Sequence, residues 1–277
     1  STAVAVAIVR TAEHEIASLD QAYYLQRALT PQDDPAGAIV VSALDPAGLT
    51  TEPLTRFAII FCVNLPVPDL DVAQRLVDYV EAGGHLIWIS GDRVDPVAYS
   101  ALNDRLQGRL LPTRLTGVHQ VSPERPDGWH ITWIDPKHPA VAPFAEPASI
   151  HQGVQVLRFI EMASVSAPHA QILMRLEEGQ PLLAVRRVGA GSTYFLATSL
   201  HVEWTNFPLT PLFLPLVCHL TFELAGAGTS PTFLSVGAPW RLPVPAGEDV
   251  TVEVVRPNGD VVRATRPDAS APSVSFE

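Results

Sequence analysis

The chain has 277 residues, enough for one large core and a small appendage, and its 47% hydrophobic and 17% charged content is that of a folded globular protein. A formal net charge of -11 excludes a general binder of nucleic acid or anionic membrane, because both reward a basic surface. Two cysteines, Cys62 and Cys218, are too few for a disulfide framework, and with no CxxC or HxxxH spacing they suggest no metal site.

In chain order, Ala3 to Val9 is a short continuous apolar run, as expected of a strand covered on both faces. Ser18 opens a predicted helix, with Gln21 three residues on completing a capping-box pattern and Tyr23, Tyr24, Ala28 and Leu29 facing inward. A strand over Ala38 to Leu44 follows. Phe57 to Val63 is a buried strand, Asn64 to Pro68 the turn at its carboxyl end, and Asp69 the start of a helix with Leu70, Ala73, Leu76, Val77 and Val80 at helical spacing. Gly83-Gly84 ends that helix, and His85 to Ile89 is the next strand. Strand, helix and strand make a βαβ crossover, which implies parallel pairing. Pro96 to Leu106 is a further helix.

From Arg109 to Ala170 prolines are dense, and only Trp129 to Ile134 and Val154 to Glu161 suggest short strands. Gln171 to Leu176 and Leu182 to Val188 form an expected antiparallel pair about the turn at Glu177 to Gln180. Ser192 to Leu200 is another strand, and Pro208 to Ala225 a buried helix, since Pro211, Pro215, His219 and Glu223 interrupt it too often for a membrane span. Gly226 to Pro231 reads as a linker, and Pro257-Asn258-Gly259-Asp260 as a hairpin turn within an alternating, strand-rich tail. The ends at Ser1 and Glu277 suggest a piece of a longer polypeptide. The expected architecture is an α/β domain over residues 1–227, with a flavodoxin- or Rossmann-like, mostly parallel sheet and helices on both faces, and an appended β segment over 228–277.

Three segments carry a resemblance: Ala82 to Asp95, Asp135 to Phe144, and Gly189 to Leu200 with its continuation Trp204 to Leu209. They are similar to class I glutamine amidotransferase-like domains of large bacterial membrane proteins that also carry BatA-type (aerotolerance-regulator) and von Willebrand factor A regions. The resemblance implies an extracytoplasmic module, tethered by segments outside this chain, whose partners are neighbouring domains of the same polypeptide or other envelope proteins. An active member would place a Cys on the turn occupied here by Ile89-Ser90-Gly91-Asp92-Arg93, and no Cys is present there. Cys62 lies inside the preceding strand.

Ser90 is the substitute nucleophile to consider, but Trp88 and Asp92 stand where a nucleophile elbow wants glycine. The bland reading is a hydroxyl that satisfies backbone groups at a strand end. By the resemblance, Leu200-His201-Val202-Glu203 takes the place of the family's His and Glu, which otherwise read as a loop His and a surface Glu. In open α/β sheets ligands sit beyond the carboxyl ends of strands, here Thr11 to His14, Asn64, Ser90 to Arg93 and His201. Asp92 and Arg93 either orient a small polar ligand or only cap and pair locally, and Glu13 and His14 read as loop residues. Gly189-Ala190-Gly191 precedes a strand and so is no phosphate loop.

Two functions compete. One is a non-catalytic binding or scaffold module, without cofactor or metal, whose ligand candidates are Asn64, Ser90, Gly91, Asp92, Arg93 and His201. The alternative is a hydrolase or amidotransferase using Ser90 with His201 and Glu203, which requires Ser90 within hydrogen-bond reach of an imidazole. A third possibility, a small-sugar or nucleotide binder, requires a deep crevice near Asn64 and Asp92.

Overall fold

The computed structural model describes residues 3–11, 20–30, 38–163 and 170–226, and the backbone of four strands within 240–276. The predicted cap at Ser18, the loop residues Glu13 and His14, most of the linker after Gly226 and the turn at Pro257 to Asp260 lie outside the described residues. The chain divides into two compact units, Ser1–Ser230 and Pro231–Glu277.

The first unit opens with β1 (Val4–Val9), α1 (Tyr23–Leu29) and β2 (Ile39–Leu44), then a single helical turn, α2 (Gly48–Thr51). The βαβ crossover forms with β3 (Ile59–Val63), α3 (Leu70–Glu81) and β4 (His85–Ile89). All five residues of β3 are buried, which is why its sequence is a continuous apolar run. Asp69 stands at the N-cap of α3 in extended conformation, but its side chain makes no capping hydrogen bond. Asp95, by contrast, accepts from the N–H groups of Val97 and Ala98 at the start of α4 (Pro96–Arg105), with Pro96 at the first helical position.

The segment with the weakest sequence signal contains β5 (Leu115–Gln120), β6 (Trp129–Ile134), β7 (Gln155–Val156) and β8 (Arg158–Met162). β9 (Ala170–Leu176) and β10 (Pro181–Val188) are antiparallel, and β11 (Gly191–Leu196) follows. The apolar stretch after Trp204 begins with a 3₁₀ turn at Phe207–Leu209 and continues as α5 (Phe213–Leu224), with Pro215 in its first turn, where a missing N–H costs little.

The expected mostly parallel, flavodoxin-like sheet is not what forms. A nine-stranded mixed sheet runs in the order β2-β1-β3-β4-β11-β10-β9-β6-β7. Pairing is parallel from β2 as far as β11 and antiparallel from β11 to β7. Nor are helices layered over both faces. Helix α3 packs on β4, β10 and β11, α1 packs on α5, and α4 packs on β5, which belongs to a separate two-stranded sheet with β8. The physical reason is topological. A continuous apolar run reports burial, not direction, and the β9–β10 hairpin places two antiparallel strands in the sheet before β11 returns beside β4.

In the second unit, β12 (Trp240–Pro243) pairs antiparallel with β15 (Ser273–Phe276), and β13 (Thr251–Val255) with β14 (Val261–Thr265).

Candidate functional site

The carboxyl ends of β1, β3 and β4 adjoin, and the sequence places Thr11, Asn64 and Ser90-Gly91-Asp92-Arg93 there. Asn64 is buried and holds a left-handed backbone, φ 47°, a conformation Asn tolerates better than most residues. Its N–H donates to the Ile89 carbonyl at 2.9 Å. Its side-chain amide then works both ways: Nδ2 donates to Asp92 Oδ1 at 2.7 Å, and Oδ1 accepts from the Arg93 backbone N–H at 2.9 Å. Gly91 is required beneath it, because a Cβ there would lie 2.4 Å from the Asn64 carboxamide. Arg93 reaches across to donate to the Thr11 hydroxyl, which ties β4 to the end of β1. Beside it Arg10 pairs with Asp20 at 2.7 Å, and Asp20 also accepts from the Ala22 N–H. The rim therefore presents one exposed carboxylate and one exposed guanidinium, each held at a defined place by a buried or neighbouring group.

Ser90 sits below this rim with no exposed surface. Its hydroxyl donates to the Ala197 carbonyl at 2.7 Å, and its N–H donates to the Leu196 carbonyl. The oxygen thus fastens the end of β4 to the end of β11.

His201 and Glu203 lie in the turn that follows. The His201 carbonyl accepts from the N–H groups of Trp204 and Thr205, and Nδ1 accepts from the Glu203 N–H at 3.2 Å. The Glu203 carboxylate is 4.0 Å from Nδ1 and largely exposed. Among the described residues no hydrogen bond or ion pair joins His201 or Glu203 to Ser90, Asn64 or Asp92. The structure brings together Asn64, Gly91, Asp92 and Arg93, and does not bring Ser90 to His201.

One polar pairing was missed by sequence reading. His85 Nδ1 lies 2.7 Å from Ser192 Oγ, at the opposite, amino ends of β4 and β11. Burial pushes the imidazole below its ordinary pKa and the nearby Arg187 charge adds to this, while a hydrogen bond to the Leu224 backbone works the other way. Tyr194 also hydrogen-bonds Ser192, yet burial raises its phenol to about 12. Both residues were read only as strand positions, since register alone makes them neighbours. Cys62 is fully buried, and desolvation drives its thiol far above the usual range, so it is inert.

Two cavities among the described residues lie away from the rim. One of about 630 Å³ is lined by Ala3, Thr55, Arg56, Tyr79 and Gly84, at the amino ends of the strands. Another of about 590 Å³ lies among Thr116, Glu161, Arg175 and Glu178. Asn64 and Asp92 line neither.

Neither a protein-family model nor a curated protein sequence matches the chain. Solved structures do resemble it. A cytoplasmic protein of Salmonella typhimurium LT2 aligns with a TM-score of 0.58 at 16% identity, over 79% of this chain and 98% of its own. A second cytoplasmic protein of Salmonella typhimurium gives 0.57 at 15%, with the same coverage of both chains. A β-galactosidase of Bacillus circulans sp. alkalophilus gives 0.54 at 14%, covering 98% of this chain but 41% of the enzyme. At such identities the likeness is one of fold alone. Two of these neighbours are named as cytoplasmic proteins, and the expected extracytoplasmic, membrane-tethered placement finds no support among them and is withdrawn. None of the three is named for an amidotransferase, a BatA-type region or a von Willebrand factor A domain, so those expectations are withdrawn. Among the described residues no helix is long and apolar enough to cross a membrane.

Proposed function

We propose that the chain is a non-catalytic recognition module whose contact groups are the exposed Asp92 and Arg93, set in place by the buried Asn64 and Gly91. The single observation that carries this reading is the state of Ser90. Its hydroxyl is buried and committed to the Ala197 carbonyl, while the charged groups next to it in sequence face solvent. An acyl-transfer nucleophile needs the reverse arrangement, an accessible oxygen bonded to a base that can take its proton. The rim instead suits recognition. Asn64 holds the Asp92 carboxylate and the Arg93 main chain in a fixed relation, so little side-chain entropy is lost when a polar partner docks. The ligand that fits is a polar protein surface, from a neighbouring domain of the same polypeptide or from another protein, offering an opposite charge to each group.

The test is labelling with a fluorophosphonate probe, followed by peptide mapping, alongside ester and amide hydrolysis by the wild type and Ser90→Ala. The expected result is no adduct at Ser90 and no hydrolysis that the substitution removes. An adduct on Ser90, or turnover lost in Ser90→Ala, would overturn the reading.

A further inference from the structure

The two edges of the nine-stranded sheet are built differently. At one edge β7 is only two residues long and is covered: the Gln155 N–H donates to Asn206 Oδ1 at 2.7 Å, and its carbonyl accepts from the Thr205 hydroxyl at 2.7 Å and the Asn206 N–H at 3.2 Å. Val156 also bridges to Thr205. Short, covered edges are how proteins prevent unwanted strand pairing.

At the other edge β2 is six residues long, Ile39-Val40-Val41-Ser42-Ala43-Leu44, with no charge, proline or bulge. Its register against β1 settles which groups remain outward. The Val4 N–H donates to the Ala38 carbonyl and the Arg10 N–H to the Leu44 carbonyl, so the even-numbered residues of β2 turn their main-chain groups toward β1. Ile39, Val41 and Ala43 therefore point both N–H and C=O away from the sheet, and among the described residues those groups have no partner. Val40 beside them is 52% exposed.

We propose that β2 is a self-association strand: a second copy of this chain pairs with it antiparallel about a two-fold axis at Val41, making one continuous sheet across the dimer. Three observations select a second copy over a foreign strand. First, the outward groups are self-complementary. With Val41 opposite its own counterpart, Ile39 faces Ala43 of the other copy, and each such pair exchanges both of its main-chain hydrogen bonds. Second, the side chains brought together, Val40 next to Ser42 of the other copy and Val41 next to itself, are small and uncharged, so nothing on the strand repels its twin. Third, the opposite edge offers in β7 only two residues, already bonded to Asn206 and Thr205, so among the described residues pairing through β2 closes at two copies. The formal net charge of -11 on each copy opposes association, so the dimer tightens as salt screens that repulsion.

The experiment uses the whole 277-residue chain in sedimentation velocity over a concentration and salt series. The expected result is a monomer–dimer equilibrium that shifts toward dimer with salt. Val41→Pro removes the central outward N–H while leaving every bond to β1, and is expected to be monomeric with unchanged circular dichroism. Val41→Cys decides the matter if the proline variant fails to fold. Directly opposed residues of a hydrogen-bonded antiparallel pair lie about 5.5 Å apart at Cα, within disulfide range, so mild oxidation should give a reducible dimer. A monomer under all conditions, a dimer that survives Val41→Pro, a species larger than a dimer, or no crosslink through Val41→Cys would each overturn the proposal.

Discussion

The parallel and antiparallel halves of the sheet are stabilised by different means. In the parallel half, β1, β3, β4 and β11 are buried almost throughout, and polar groups cluster at the strand ends. In the antiparallel half, β10 is buried over its first five residues, but β9 and β6 keep partly solvated positions where large side chains meet charges. Arg125 stacks over Trp129 at 5.2 Å and pairs with Glu177 at 3.0 Å, and Arg175 stacks over Trp133 at 5.7 Å. One half rests on close packing, the other on pairs that water already screens, so side-chain deletions should cost the first half more.

The widest separation comes from truncating one aromatic in each half. Phe61 is 2% exposed and stands in β3, in register with Ile8 on one side and Ile87 on the other. Phe61→Ala should destabilise by about 3–5 kcal/mol in urea unfolding. Trp133 is 38% exposed in β6, and Trp133→Ala should cost roughly 1 kcal/mol, the loss of partial burial and one cation–π contact. Equal costs would break the contrast.

A smaller effect tests the polar ends of the parallel strands. Asn64→Ala removes two hydrogen bonds and puts a residue less tolerant of positive φ into a left-handed site, at about 1–3 kcal/mol. Asn64→Gly loses the same bonds but relieves the backbone, so it should fall below Asn64→Ala in cost, as thermal unfolding of both would show. If the two variants are equal, the backbone conformation contributes nothing and the amide alone holds Asp92 and Arg93.

These halves also differed in how far they could be read from sequence. Runs such as Phe57 to Val63 and His85 to Ile89 declare burial on both faces, and the helical spacing between them declares a crossover, so β3, α3 and β4 were legible to within two residues. β5 was not, because Leu115 to Gln120 contains Gly117, His119 and Gln120 and has only one clear inward position. The overall sheet type was misjudged for a related reason. Direction and neighbour depend on long-range pairing, and nothing local in Trp129 to Ile134 says that it joins the same sheet antiparallel to β9. At the site, the cluster of Asn64 with Asp92 and Arg93 followed from the rule that ligands gather at strand ends. That the Ser90 hydroxyl satisfies a backbone group at a strand end was legible too, but its acceptor was not, since the Ala197 carbonyl arrives from 107 residues away.

The smallest expected effect concerns pH and belongs to the parallel half. His85 is held below its ordinary pKa chiefly by burial, so the folded chain binds a proton there less readily than the unfolded chain does. As pH falls through the unfolded value near 6.5, the unfolded state gains a proton first, and stability declines until the folded value is reached; above that window the residue contributes no pH dependence. His85→Gln keeps a donor and an acceptor near Ser192 and Leu224 but cannot titrate. It should shrink the drop in Tm between neutral pH and pH about 5, by less than either deletion above changes stability. His138, also lowered by burial, should leave a residual slope in the variant. An unchanged slope in His85→Gln would mean that this strand end of the parallel half contributes nothing to the acid sensitivity.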